Sequence, residues 1–427
     1  MKKNTSSLNT SIATVEEETK VITLGCRLNY YESDIILNNA KRFKQKNTVI
    51  INTCAVTNEA ERQSKQTIRK MRKLNPNSKI IATGCAVQLK PSEFLKMIEV
   101  DQVVGNEHKI KKEIFSKHSN SKDIVSDIMN VTNNDTPIII NTNNRARTSL
   151  EIQQGCNHRC TFCIIPFARG NNRSTPMGYL VDHIKRLVAR GYSEITLTGV
   201  DICSYGSDLP GQPTLGQMLK RLFKTTPELP RLRLSSLDPA AIDNDLIEII
   251  ADEKRLLPYF HFSTQSGDNL ILKRMKRRHS REDIIKIANE IKNNRPEVIF
   301  GCDIISGFPT ETHKSFNNTM NLIDEVNFTK LHVFPFSPKK GTPAFRMPQV
   351  SKEIIKKRAF MLREKGNHNL NKVMQTYIGK KVKVLIEKNG LGYSETYLPV
   401  QVLQPTKTGE LIEVKITNVI DSRLVAS

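Results

Sequence analysis

Tryptophan is missing from this sequence, and aromatic residues make up only 6% of it. A broad aromatic platform for stacking single-stranded bases is therefore not advertised. No run of roughly 18 or more apolar residues occurs, which excludes a hydrophobic transmembrane helix. The stretch from Met1 to Lys20 carries Glu16-Glu17-Glu18 among Ser, Thr and Asn and has no apolar segment. It does not read as a secretory signal, and residues 1–19 are expected to form a disordered tail. Acidic residues are also in short supply: 43 Asp and Glu face 65 Lys and Arg, a formal net charge of +22. Such a balance suits a polyanionic partner such as nucleic acid. A genome biased toward Lys, Asn and Ile codons would give the same excess.

What is present begins with length: 427 residues are enough for two or three domains with cores of their own. Eight cysteines without a secretory signal argue for a reducing, cytoplasmic setting rather than a disulfide framework. Gly155-Cys156-Asn157-His158-Arg159-Cys160-Thr161-Phe162-Cys163 has the spacing C-x3-C-x2-C. Cys thiolates hold iron–sulfur clusters. Three on one short loop can wrap one face of a cube-shaped cluster and leave its fourth iron without a protein ligand. An open iron can take a chelating substrate through an amino and a carboxylate group, as S-adenosylmethionine offers. Zinc is the competing metal, and it wants four tetrahedral ligands, commonly from paired C-x2-C units. No second pair is present, although His158 could complete a Cys3His set.

From Ser149 onward, strand-like runs alternate with helix-length segments. The runs are Leu150–Gln154, Glu194–Thr198, Arg231–Ser235, Tyr259–Thr264, Val298–Ile305 and Thr329–Phe334, with Met177–Arg190 and Arg281–Asn293 among the helices. The alternation predicts βα units on a parallel sheet. Six units predict a partial barrel, an incomplete relative of the eightfold βα barrel, with chemistry at the C-terminal strand ends. The cysteine loop follows the first run. Later strand ends read Thr198-Gly199-Val200-Asp201, Ser235-Ser236-Leu237-Asp238, Ser263-Thr264-Gln265-Ser266-Gly267 and Asp303 through Pro309. Glycine there permits close approach of the backbone to a ligand, although each stretch is also an ordinary turn. The run Lys276-Arg277-Arg278-His279 offers either a phosphate contact or a solvated face.

Before residue 125 one unit recurs. Val21-Ile22-Thr23-Leu24-Gly25-Cys26, Val49-Ile50-Ile51-Asn52-Thr53-Cys54 and Lys79-Ile80-Ile81-Ala82-Thr83-Gly84-Cys85 are each an apolar strand, one Cys and then a helical stretch. Buried parallel strands look like these continuous apolar runs. The pattern predicts a small doubly wound α/β domain with Cys26, Cys54 and Cys85 at its ligand-binding edge. Three thiolates converging there make a second three-cysteine site; three ordinary buried cysteines are the alternative. Cys203 and Cys302 fit neither set and read as core residues. In the last 55 residues, Val382-Lys383-Val384-Leu385-Ile386-Glu387 and Leu411-Ile412-Glu413-Val414-Lys415-Ile416 partly alternate, and Asn389-Gly390 signals a hairpin. A β-barrel of about five short strands is expected, either an oligonucleotide binder or a structural appendage.

Taken together, the chain resembles the radical-SAM methylthiotransferase family across nearly its whole length. The matching stretches are Thr23 through Asn29, Asn52 through Thr57, Gly155 through Pro166, Ser266-Gly267-Asp268 with Met275 through His279, and Leu331 through Pro338. The resemblance implies an N-terminal methylthiotransferase domain over 20–125, a linker over 126–144, a radical-SAM core over 145–371 and a TRAM domain over 372–427. It is greatest to the subfamily acting on N6-threonylcarbamoyladenosine at position 37, in the tRNA anticodon loop. Isopentenyladenosine in tRNA and a ribosomal protein are the alternative substrates. By this resemblance Cys156, Cys160 and Cys163 hold a 4Fe–4S cluster that cleaves S-adenosylmethionine, and Cys26, Cys54 and Cys85 hold an auxiliary 4Fe–4S cluster. An external electron donor reduces the first cluster, and a deoxyadenosyl radical activates C2 of the adenine. A second S-adenosylmethionine methylates sulfur at the auxiliary cluster, and the methylthio group is transferred. Thr198, Gly199, Ser236 and Gln265 are the expected S-adenosylmethionine contacts. The Phe167–Asn172 loop departs from the commonest family wording and is expected to bear on tRNA recognition more than on chemistry.

Overall fold

A computed structural model describes residues 18–115, 121–134 and 146–427. Nearly all of the expected tail (1–19) and much of the expected linker (126–144) lie outside the described residues. The first layer is a five-stranded, all-parallel sheet ordered β1 (Lys20–Thr23), β2 (Thr48–Thr53), β3 (Lys79–Gly84), β4 (Gln102–Val104) and β5 (Asp123–Ile124). Its Val/Ile runs are buried on both faces, as such runs require. Val49, Ile51 and Ile80 pack with Ile68 and Phe94 on one side, and Ile50 and Ile81 pack with Ile36 on the other.

The central layer is a partial barrel. Its strands are β6 (Arg147–Gln154), β7 (Arg173–Ser174), β8 (Glu194–Gly199), β9 (Leu232–Leu234), β10 (Tyr259–Gln265), β11 (Ile299–Ser306) and β12 (Lys330–Pro335). Apart from the short antiparallel β7 beside β6, neighbouring strands run parallel, in two sheets that meet through an isolated bridge between Leu237 and Phe262. The six parallel strands fall where the alternation of runs and helices predicts them; two-residue β7 carries no such signal. Side chains alternate across the barrel wall. Phe260, Phe262, Cys302 and Ile304 face outward into the main core beneath the helices. Tyr259, His261 and Asp303 turn inward.

The C-terminal strands β13 (Lys381–Lys388), β14 (Leu391–Ser394), β15 (Pro399–Val402), β16 (Leu411–Ile420) and β17 (Arg423–Ala426) close into a barrel. Asn389 and Gly390, both at positive φ, make the β13–β14 turn. This module shares its core with the central layer through Tyr259, Ile299 and Met374. Among the described residues no helix is long and apolar enough to cross a membrane.

Candidate active site

The first cysteine loop leaves β6 through Gly155, at φ +69°, where an added Cβ would lie 1.8 Å from the Asn171 carbonyl oxygen. Only glycine lets the chain turn back this closely. The Cys156 N–H donates to the Gly170 carbonyl (3.0 Å), and Arg159 donates to the Cys156 carbonyl (2.7 Å) and to Asn171 Oδ1 (2.9 Å). Thr161 ties the loop across the barrel, donating to the Arg274 and Met275 carbonyls at 2.7 and 3.1 Å. The three thiols are partly buried, and none is in a disulfide. Burial pushes Cys156 and Cys163 up to about 12; Asp201 adds to the effect at Cys156, and neighbouring loop thiols add at both. His158 turns to Asp201 (3.0 Å) and Ser204 (3.3 Å). Ligand atoms of Cys156, His158 and Asp201 lie within 4.8 Å of one another.

The charged run after β10 is divided between the surface and the interior. Arg277 and His279 are drawn inward to the buried Asp238, at 2.9 and 3.4 Å, and Arg278 reaches the same carboxylate at 2.9 Å. Burial opposes ionisation of Asp238, but His279, Arg277 and Arg278 outweigh it and hold the carboxyl well below its usual range. Arg277 also approaches Cys160 Sγ (3.8 Å). Lys276 and Arg278 are exposed, and Arg278 reaches the carboxylate from the surface. Long-range pairing with Asp238 is invisible in the run itself, which is why the local charge pattern misleads.

In the N-terminal layer the parallel register sets Thr23 beside Asn52 and Thr53 beside Gly84, so the three strand ends lie side by side. Cys26, Cys54 and Cys85 follow those ends. The three residues therefore share one edge of the sheet. Burial pushes Cys54 up to about 11 and also raises Cys26, against the pull of Arg169. Gly25 (φ +99°) makes room: a Cβ there would meet Cys54 Cβ and Sγ at 2.8 Å.

Arg169 is the residue that sequence reasoning missed. It lies in the Phe167–Asn172 loop, yet it is buried and donates through Nε to Cys85 Sγ at 3.2 Å. It also pairs with Glu32 (2.9 Å), which is shared with Lys109 (2.5 Å). Burial opposes ionisation of Glu32, but the two cations hold its carboxyl below the ordinary range. Arg169, the last residue of the short helix Ile165–Arg169, thus brings part of the Phe167–Asn172 stretch against Cys85. Its partners lie far away in sequence, and no local pattern announces them.

A cavity of about 1060 Å³ opens inside the barrel. Cys26, Cys54, Thr198, Gly199 and Ser236 are among the residues lining it. Gln265 is not among the lining residues; it sits at φ +66° beside a β10 bulge. The first cysteine loop adjoins the cavity through edge-to-face contacts from Phe162 to Phe308 (6.4 Å) and from Phe308 to the lining residue Phe336 (5.5 Å). Further down the wall, Asp303 accepts from Ser236 (3.2 Å) and pairs with His261 (3.0 Å) and His332 (3.3 Å). Cys203 and Cys302 are buried in the main core. Each triad is a set of free thiols, the soft donor type that ligates a 4Fe–4S cluster.

Residues 150–323 match the Radical SAM superfamily, and residues 18–105 match the group described as Uncharacterized protein family UPF0004. The chain is 47% identical over 400 residues to threonylcarbamoyladenosine tRNA methylthiotransferase MtaB of Rickettsia prowazekii, covering 94% of this chain and 95% of the relative. It is 31% identical over 429 residues to tRNA-2-methylthio-N(6)-dimethylallyladenosine synthase of Oceanobacillus iheyensis, covering 92% and 81%. The solved radical S-adenosylmethionine methyltransferase TsrM of Kitasatospora setae aligns over 77% of each chain with a TM-score of 0.54 at 13% identity, a likeness of fold alone.

Proposed function

The chain belongs to the radical-SAM methylthiotransferases, and on that premise we propose that it adds a methylthio group to C2 of N6-threonylcarbamoyladenosine at position 37 of tRNA. The observation that carries this reading is the single cavity lined both by Cys26 and Cys54 and by Thr198, Gly199 and Ser236. The 47% relative, matched over nearly its whole length, supports the substrate. In this reading residues 20–125 carry the auxiliary site, 145–371 form the radical core and 372–427 form a TRAM domain.

As a radical-SAM enzyme the chain uses a 4Fe–4S cluster and S-adenosylmethionine. Cys156, Cys160 and Cys163 would hold that cluster and Cys26, Cys54 and Cys85 a second 4Fe–4S cluster; with an external electron donor these groups would supply radical and sulfur-transfer chemistry. The protein's own part is to position and shield. Thr198, Gly199 and Ser236, which line the cavity, are placed to hold S-adenosylmethionine. Arg169, itself buried, donates to Cys85 Sγ and would offset negative charge on that sulfur. The target base is in an anticodon loop, largely single-stranded, and can be splayed into the cavity.

Mass spectrometry of tRNA nucleosides from cells lacking the protein tests the reading. The methylthio form of the threonylcarbamoyl nucleoside should vanish and its precursor accumulate; an unchanged profile rejects the assignment. Anaerobically reconstituted protein should carry about eight irons per chain, and zinc alone would rule out both clusters.

A further inference from the structure

Resting on the proposed substrate, we infer that Lys330, with Arg27 beside it, binds the threonyl carboxylate of the modified base and so selects it over adenosines with uncharged N6 arms. Lys330 is the first residue of β12 and lines the same cavity as Cys26 and Cys54. The carboxylates around it are engaged elsewhere. Arg147 pairs with Glu387 (2.6 Å), Arg233 with Glu194 (2.7 Å), and Asp303 with the two imidazoles. Among the described residues no carboxylate is paired with Lys330 or Arg27.

The ammonium donates to the Tyr397 carbonyl oxygen. That bond occupies one donor of three and leaves the charge unmatched. Tyr397 and Tyr259 face the same ammonium at 4.4 and 5.4 Å from their ring centroids. Arg27 donates to the Tyr397 hydroxyl at 3.0 Å, which neutralises nothing. Burial, and then the Arg233, Arg147 and Arg27 guanidiniums, push Lys330 down to about 7, the sign of a site with more positive charge than it can balance. An arriving anion relieves that imbalance. In the proposed substrate the threonylcarbamoyl arm ends in a carboxylate, whereas a dimethylallyl arm carries no charge. The competing account is that these cations only latch the β14–β15 loop, to which Arg233 also donates through the Ser394 and Glu395 carbonyls (both 2.8 Å).

A cycle pairing a protein change with a substrate change separates the two accounts. Reconstituted enzyme is offered anticodon stem-loops carrying threonylcarbamoyladenosine, its neutral threonyl carboxamide, or plain adenosine. Affinity is read by fluorescence anisotropy and turnover by mass spectrometry. The carboxamide should weaken binding to wild type by about ten- to a hundredfold, the range of a charge-assisted hydrogen bond. Lys330→Met should lose a similar factor on the native arm and be indifferent to the carboxamide, while Lys330→Arg retains discrimination. Losses that simply add, or an equal loss on plain adenosine, overturn the inference in favour of a latch. Should Lys330→Met not fold, wild type and Arg27→Gln decide: wild type blind to the carboxamide while still modifying the native arm overturns the inference alone. Wild type that modifies only a different adenosine overturns the substrate reading and the inference with it.

Discussion

Two buried charged residues do work that their neighbours in sequence do not suggest. Arg169 joins the first cysteine loop to Cys85 and is held by Glu32 and Asn29. Arg169→Gln should leave cleavage of S-adenosylmethionine measurable but lower iron from about eight toward about four per chain, as read by iron and sulfide analysis. Asp238 is the counter-ion of Arg277 and Arg278 and lies 3.4 Å from the His279 imidazole. Asp238→Asn strands buried cations and should cost about 3–5 kcal/mol at pH 7. The sign with pH follows from the depressed carboxyl: its stabilisation is complete above the ordinary Asp value of about 3.9 and fades as pH falls below that toward the folded value. The gap between wild type and variant in urea unfolding should therefore be widest from pH 7 to pH 5 and narrow toward pH 3. Neither role was legible beforehand. Sequence spacing locates the cysteines, because metal ligation demands a residue type at an interval. A counter-ion far along the chain demands neither.

At the scale of the element, legibility followed burial. The runs at Val49–Ile51 and Lys79–Ala82 announce β2 and β3 because both faces of that sheet are covered. The barrel strands were recognisable in position, but their inner face was not read. In Tyr259-Phe260-His261-Phe262 and in Lys330-Leu331-His332-Val333, one residue in two turns to the cavity, so the polar lining is hidden among outward apolar side chains. Three-residue β4 and two-residue β5 and β7 are too short to carry a period. The turn after β1 gives a test. Gly25→Ala places a methyl group 2.8 Å from Cys54 Cβ in a left-handed conformation, a strain of about 1–3 kcal/mol. Iron should fall as for Arg169→Gln, while thermal unfolding moves by only a few degrees.

Across the whole molecule, the C-terminal barrel is not a detachable bead. It shares a core with Tyr259, Ile299 and Met374, and its β14–β15 loop is grasped by Arg233, Lys330 and Arg27. Ending the chain at Asn371 uncovers that core and frees those cations. The shortened protein should aggregate or yield to limited proteolysis inside the central barrel, not only lose tRNA affinity. The alternation in Val382–Glu387 and the Asn389-Gly390 turn made this barrel foreseeable; its seam with the central layer, built from residues of both, was not.

The guanidinium of Arg169 is delivered by the peptide of one thiol set and completes the surroundings of the other. If both thiol sets hold clusters as proposed, their maturation would be coupled through this residue. A newly made chain whose first loop is still open would lack the buried cation at Cys85, and loading would then run first loop before second. Staged addition of iron, followed spectroscopically in wild type and in Cys160→Ala, should show the second centre filling late in one and poorly in the other.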